Sequence, residues 1–514
     1  DIYRRWDGFD TSRDLTAFYV RDGGVADDKV YFRVDFQDLQ ANAEQGGLDV
    51  YVLIDFNSTG TGEAALPDEV DGRTAMKWEA AVAVFDSQNG VLYVDGNKNV
   101  NTLTEADSLS AAGVAAAPGG FHGAYFNSEL DAMEFSIDRS ALVDAGWNGN
   151  AATLNFQVFT TKDGTGNDPL GAGDIGGRID VCDTIRNAWL CSDYWRDQDY
   201  IQANPILTQW VGRNADNDVG RSAKIALLAH GNQAIQPGSY VGHVVVDGAG
   251  AGYQRPIKIH GIYGVPLNLH ITPTLAIALE WAEVETNAWR SGKGLNDQIR
   301  ALVATNVVSI MASTYSDHVL PYFTEAFNRD NVELATETLN RIYGANVNSN
   351  SVFWPPERVV DGDVLAKILD LGFRYSLVDQ NTHVWNWYGR TVALGDDGYR
   401  INRIDGVDCF VINNAANDYR FVNYDSGLAI PLRELFNRRA RSDVQNQVAT
   451  IFTMWEEFAT LSQANAYDKN VRWLANHPWL QLVALADIAA GDVELPWGQT
   501  WEPIDRGTTA GTQR

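Results

Sequence analysis

The chain has 514 residues, of which 39 are Lys or Arg and 67 are Asp or Glu, giving a net charge of −28. That surplus repels nucleic acid and anionic membrane surfaces, so neither is expected as a partner. With 45% hydrophobic and 11% aromatic residues the chain can bury large cores, and its length suggests two or three domains. No apolar run approaches the length of a membrane span. The opening DIYRRWDGFD lacks the basic-then-apolar pattern of a signal peptide and reads as a processed, mature start, so a secreted or periplasmic protein is expected. The last residues, WEPIDRGTTAGTQR, read as a chain that could continue.

From about residue 28 to 165 the sequence carries strand signals: KVYFRVDFQDL, GLDVYVLIDFNSTG, WEAAVAVFD, GVLYVDG, AMEFSIDRSAL and ATLNFQVFTTKDG. Alternating apolar residues with Gly, Asn and Asp punctuation predict an antiparallel β-sandwich over residues 1–165. The VYFRVDF, LDVYVLIDF and MEFSIDRSAL runs together look like the β-sandwich modules beside secreted glycosidases, similar to carbohydrate-binding or DOMON-like domains. Asp55, Asn57 and Glu63 could offer oxygen ligands to calcium, but an ordinary Asx turn explains the same residues, and no metal or other cofactor is assigned. Residues 166–221, rich in Gly, Asp and Asn, read as a linker. Within it Cys182 and Cys191 could close a short disulfide loop, although three reduced thiols, Cys409 among them, fit as well.

From residue 222 to 514 the character changes. KIALLAHGNQ is a short buried strand with a polar end, and later apolar strands alternate with the helical runs QIRALVATNVVSIMAS and ELATETLNRIYGA. Such alternation predicts a β/α barrel whose strands are buried on both sides. Active sites of these barrels gather on loops at the carboxyl ends of the strands. SVFWPPERVVD falls on such a loop: Pro355 and Pro356 predict a stiff, extended run from Trp354 to Glu357, as a catalytic carboxylate requires.

Other polar groups punctuate the predicted strands. His230, Asn232 and Gln233 form a donor and acceptor set suited to sugar hydroxyls. His318, beside Tyr315 and Asp317, fits a hydroxyl clamp or a capped helix start. Asp379, His383, Trp385 and Trp387 place tryptophans near polar side chains, a pattern suited to sugar stacking and equally to a core. Glu456 and Glu457 follow an apolar strand, and His477 and Trp479 come after them.

Five of these pieces occur in a telling order: His-Gly-Asn-Gln at 230–233, the Tyr315, His318 and Pro321 region, Trp-Pro-Pro-Glu at 354–357, the 452–458 stretch, and Asn-His-Pro-Trp at 476–479. Together, over roughly residues 222–497, they resemble glycoside hydrolase family 57 and its relative family 119. The resemblance implies an incomplete (β/α)7 barrel and a retaining hydrolase or transferase of α-linked glucans, whose partner is a poly- or oligosaccharide. It also implies that Glu357 is the nucleophile, with His230 and a wall formed by Trp354 shaping the donor subsite. One position departs from the family, whose general acid is an aspartate in an F-x-D-x-E motif. Here the stretch reads F-T-M-W-E-E-F, so Glu456 is the candidate acid, with Glu457, Asp379 and Asp408 as alternatives. A degenerate relative that binds glycans without cleaving them fits the same departure.

Overall fold

The computed structural model describes residues 12, 15–36, 38–43, 47–56, 61–67, 70–71, 73–96, 114–162, 179–185, 190–191, 223–232, 252–281, 292–379, 383, 396–413, 422–423, 427–428, 448–455, 461–477, 480–491 and 497–501. The chain divides into two compact units, Asp1–Arg221 with Tyr424–Leu428, and Ser222–Asn423 with Ala429–Arg514.

The first unit holds an antiparallel four-stranded sheet in the order Leu15–Asp22, Lys29–Phe36, Ala132–Asp138, Phe121–Asn127. A seven-stranded sheet carries Leu48–Asp55, Ala80–Val84 and Asn155–Lys162 near its centre. Alternation sets the faces: in Lys29–Phe36, Val30, Phe32 and Val34 are buried while Lys29, Tyr31 and Arg33 are only partly so. Phe156 of the larger sheet meets Phe18 and Phe32 of the smaller edge-on, at centroid distances of 5.3 and 5.9 Å. The segment expected as a linker differs from expectation. It supplies strands Ile179–Ile185 and Leu190–Cys191, which pair with Asn155–Lys162 and Arg73–Trp78, because IDVCDTI alternates as a strand does. The side chains of Cys182 and Cys191 lie outside the described residues, and Cys409 is a buried free thiol. Asn57 also falls outside, while Asp55 ends its strand and Glu63 is buried.

The second unit is built on seven parallel strands: β1 (Ala223–Gly231), β2 (Leu267–Ile271), β3 (Val308–Ile310), β4 (Val352–Phe353), β5 (Tyr375–Asp379), β6 (Val407–Ile412) and β7 (Val448–Met454). Their order is β3-β2-β1-β7-β6-β5-β4. A parallel bridge between Ala312, just past β3, and Phe353 of β4 joins the two edges, so the sheet curls upon itself as a (β/α)7 barrel does. Between β6 and β7, Ile412 and Thr450 are the one registered pair. The Asn413 side chain adds to this contact by accepting the Thr450 N–H at 2.8 Å, while the Asn413 N–H donates to the Thr450 carbonyl. Burial of nearly every residue of β1, β2, β5 and β6 explains why their sequences read as continuous apolar runs.

The loop after β4 departs from its expected form. Pro355 is extended (φ −67°, ψ 123°), but Pro356–Arg358 close a single 3₁₀ turn in which Glu357 (φ 54°) and Arg358 (φ 49°) are left-handed. Each proline presets its own φ and the residue before it, and neither constrains the residues after it. The following helix, α1 (Gly362–Asp370), is capped by Asp361, whose side chain accepts the Val364 N–H at 2.9 Å.

Candidate active site

Carboxyl ends of the strands bring together Asn232 after β1, Asp317 after β3, Glu357 and Arg358 after β4, and Asp379 ending β5. Asn232 is the hinge of the group. Its Nδ2 donates to Asp317 Oδ2 at 2.9 Å and to Glu357 Oε1 at 3.0 Å. Arg358 turns the other way, donating to Asp379 Oδ2 at 3.2 Å with its guanidinium 4.6 Å from the centre of the Phe452 ring. Of the seven non-glycine residues with positive φ among those described, only Glu357 and Arg358 are neither Asp nor Asn. Such residues cost about 1–3 kcal/mol each and persist where surrounding contacts over-determine them.

His383 supplies one of those contacts. Its Nδ1 accepts the Asp379 N–H at 2.8 Å, so its Nε2 carries the proton and donates to the Arg358 carbonyl at 2.8 Å. Burial lowers its pKa to about 4, with Arg358 lowering it further against the opposing pull of Asp379 and the Arg358 carbonyl. A neutral imidazole thus ties the end of β5 to the turn that carries Glu357.

Asp317 is buried, and its Oδ1 has no hydrogen-bond partner among the described residues. Burial pushes its carboxyl up to about 7; the Asn232 amide opposes this and the neighbouring Glu357 carboxylate adds to it.

Beneath the carboxylates lies an aromatic floor. His230 and His270, registered partners on β1 and β2, approach through their Nδ1 atoms at 2.7 Å and stack at 4.8 Å. Trp354 stacks on both, at 4.8 and 5.2 Å, and on Phe452 at 5.3 Å. Burial first, then the charge of Arg358, lowers the His230 pKa to about 3, with a hydrogen bond to Asn232 opposing, and His270 is held well below its ordinary value by burial. Gly231 is required by this packing: a Cβ there would stand 2.8 Å from Cε3 of the buried Trp455 ring.

The structure redistributes the sequence candidates. Asn232, Glu357 and Asp379 converge, with His230 and His383 directly behind them. Trp354 is fully buried and so is part of the floor, unable to offer a ring face to a sugar as the expected wall would. His318 is turned away: its Nε2 pairs with Asn328 Oδ1 at 2.8 Å, and its ring meets Phe323 and Phe327 edge-on. His477 is not brought to the site. It precedes strand Leu480–Leu482, which pairs with Ala223–Ile225 at the amino end of β1, and it stacks on Trp473 at 3.6 Å. Asp408 likewise sits at the amino end of β6, buried between Arg374 and Arg403 at 2.8 Å from each. Gln233, Trp385, Trp387, Glu456, Glu457 and Trp479 lie outside the described residues. Asp317 and His270 are the members that the sequence left in the background, each beside or opposite a residue it had singled out.

Residues 251–490 match the model of Glycosyl hydrolase family 57. The match spans under half of the chain, and over it the barrel resembles a family 57 glycosyl hydrolase domain. No curated protein matches the chain. Among solved structures it is similar to a 4-alpha-glucanotransferase from Thermococcus litoralis (12% identity, TM-score 0.42), covering 55% of this chain and 42% of that one. It is also similar to a GH57-type branching enzyme from Pyrococcus horikoshii (10%, TM-score 0.37, 57% and 74%) and to a putative polysaccharide deacetylase from Mycobacterium smegmatis (14%, TM-score 0.35, 54% and 93%). The chain thus spans well under half the length of the glucanotransferase that it matches.

Proposed function

We propose that the barrel belongs to glycosyl hydrolase family 57 and is a retaining glycoside hydrolase or transglycosylase acting on α-linked glucans, with Glu357 as its nucleophile. The observation that carries this reading is the placement of Glu357. It stands at the carboxyl end of β4 on a left-handed turn, its Oε1 held by Asn232 at 3.0 Å and its backbone tied to β5 through His383. A side chain so held reaches an anomeric carbon in one orientation. Retention requires a covalent glycosyl–Glu357 ester, formed as the leaving oxygen takes a proton and resolved by water or by an acceptor hydroxyl. The amino-terminal unit is read as a β-sandwich, supported by the ring contacts of Phe156 with Phe18 and Phe32, and polysaccharide binding by it belongs to the same proposal. A secreted or periplasmic location belongs to the same proposal.

Glu357→Gln tests the assignment. It keeps the size and the hydrogen bond to Asn232, and it abolishes turnover of α-glucans while leaving their binding intact. A variant that retains native turnover rejects the assignment. Glucan binding by the native protein without product from any linkage would instead support a non-catalytic glycan-binding relative.

A further inference from the structure

A retaining mechanism needs a second carboxyl group, and the family's aspartate is missing from the 452–458 stretch. We infer that Asp317 takes that role, as the general acid that protonates the departing glycosidic oxygen and the base that then deprotonates the incoming hydroxyl. The inference rests on the reading of Glu357 as nucleophile.

Geometry carries it. One amide nitrogen, Asn232 Nδ2, donates to Asp317 Oδ2 at 2.9 Å and to Glu357 Oε1 at 3.0 Å. The shared amide brings the two carboxyls together, and Asp317 also meets the main chain and carboxylate of Glu357, the close pairing of carboxyls that retaining catalysis uses. Asp317 also comes from a different strand end than Glu357, so the two carboxyls approach from separate loops. The other described acids near the barrel strands are committed elsewhere. Asp408 lies at the opposite end between two arginines, and Asp379 holds Arg358.

Protonation follows from the surroundings. Asp317 Oδ1 is buried with no hydrogen-bond partner among the described residues, an arrangement that penalises the anion and favours the protonated carboxyl. The groups around it are the neutral Asn232 amide and the Glu357 main chain and carboxylate. His318, its chain neighbour, faces Asn328, Arg358 faces Asp379, and His230 stays neutral down to about pH 3. In the first step Glu357 bonds to the anomeric carbon, the C–O bond breaks with its electron pair going to the leaving oxygen, and that oxygen takes the Asp317 proton. In the second, Asp317 removes a proton from water or an acceptor hydroxyl as its oxygen bonds to the carbon and the Glu357 ester breaks. Loss of the Glu357 charge in the intermediate removes the repulsion that favours protonated Asp317, which frees it to act as base.

The test compares Asp317→Asn, Asp317→Glu and Glu357→Gln on an unmodified α-glucan and on a nitrophenyl α-glycoside. Asp317→Asn is expected to slow the glucan about 10²–10⁴-fold and formation of the glycosyl–enzyme from the nitrophenyl substrate far less, because nitrophenolate leaves without a proton. Azide, which needs no base, should restore its turnover and yield a glycosyl azide of retained configuration. Native kcat/KM on the glucan should fall above about pH 7, and Asp317→Asn should lose that limb. Equal losses on both substrates with no azide product overturn the proposal. Should Asp317→Asn fail to fold, Asp317→Glu carries the test: a displaced acid shifts the alkaline limb, and an unchanged limb and rate overturn the role. Native nitrophenyl turnover by Glu357→Gln would instead reject the nucleophile reading itself, whatever Asp317 does.

Discussion

Replacing Asp317 with Asn should change how stability depends on pH, by an amount that the structure fixes. The folded carboxyl titrates at about 7, against an ordinary value of 3.8, because it is buried beside Glu357. Between those values the folded chain holds a proton that the unfolded chain has released. Stability from this group is therefore complete below about pH 4 and is lost as pH rises through about 7. An interval of about 3 pH units corresponds to about 4 kcal/mol at about 1.36 kcal/mol per unit, an upper figure because a buried site relaxes when charged. Asn cannot ionise, and its oxygen can still accept from Asn232. The unfolding free energy of the variant relative to the native protein should then rise from near zero below about pH 4 to about 2–4 kcal/mol at about pH 8. Urea unfolding at several pH values measures it. Buried His230, His260, His270 and His383 titrate in the opposite sense, but they are common to both proteins and cancel in the difference. A difference that stays constant within about 1 kcal/mol across that range would refute the burial argument, since an exposed carboxyl has no such linkage.

Other outcomes follow from the same contacts. His383→Ala strips partners from the Asp379 N–H and the Arg358 carbonyl and should cost about 2–4 kcal/mol in urea unfolding while lowering kcat more than it raises KM. Trp354→Ala should destabilise by about 3–5 kcal/mol, as expected for a floor residue; a variant of native stability with weakened sugar binding would restore the wall. Gly231→Ala should cost about 1–3 kcal/mol through its clash with Trp455, read as a lower unfolding midpoint. In acid, stability should fall between about pH 6.5 and 4 as His260 and His383, both held at about 4 chiefly by burial, must gain protons to unfold; calorimetry across that range checks it.

How far the sequence reached depended on what each residue's neighbours leave legible. The barrel strands were readable because burial on both faces forces unbroken apolar runs, and the place of Glu357 in the fold was readable because the Trp-Pro-Pro-Glu loop sits between a strand and a helix. Its backbone was not: the left-handed turn is imposed by Asn232 and His383, which lie far away in sequence. Asp317 and His318 are adjacent and both polar, and the turn alone decides which one faces the carboxylates. His270 could have been found by noticing that LNLHI ends as LLAHG does, with a histidine near the carboxyl end of a buried strand. Trp354 illustrates the converse, since an aromatic beside a catalytic loop suits a sugar or a core, and stacking on two buried histidines settles it.

As nucleophile, Glu357 forms a covalent bond to the sugar. Incubating the protein with a fluorinated α-glycosyl fluoride, which slows breakdown of the intermediate, followed by peptide mass spectrometry, measures that directly. One glycosyl adduct is expected, on the peptide carrying Trp354 to Arg358, localised to Glu357 and absent from Glu357→Gln. An adduct on another carboxyl, or turnover with inversion and no adduct, would contradict the nucleophile role of Glu357.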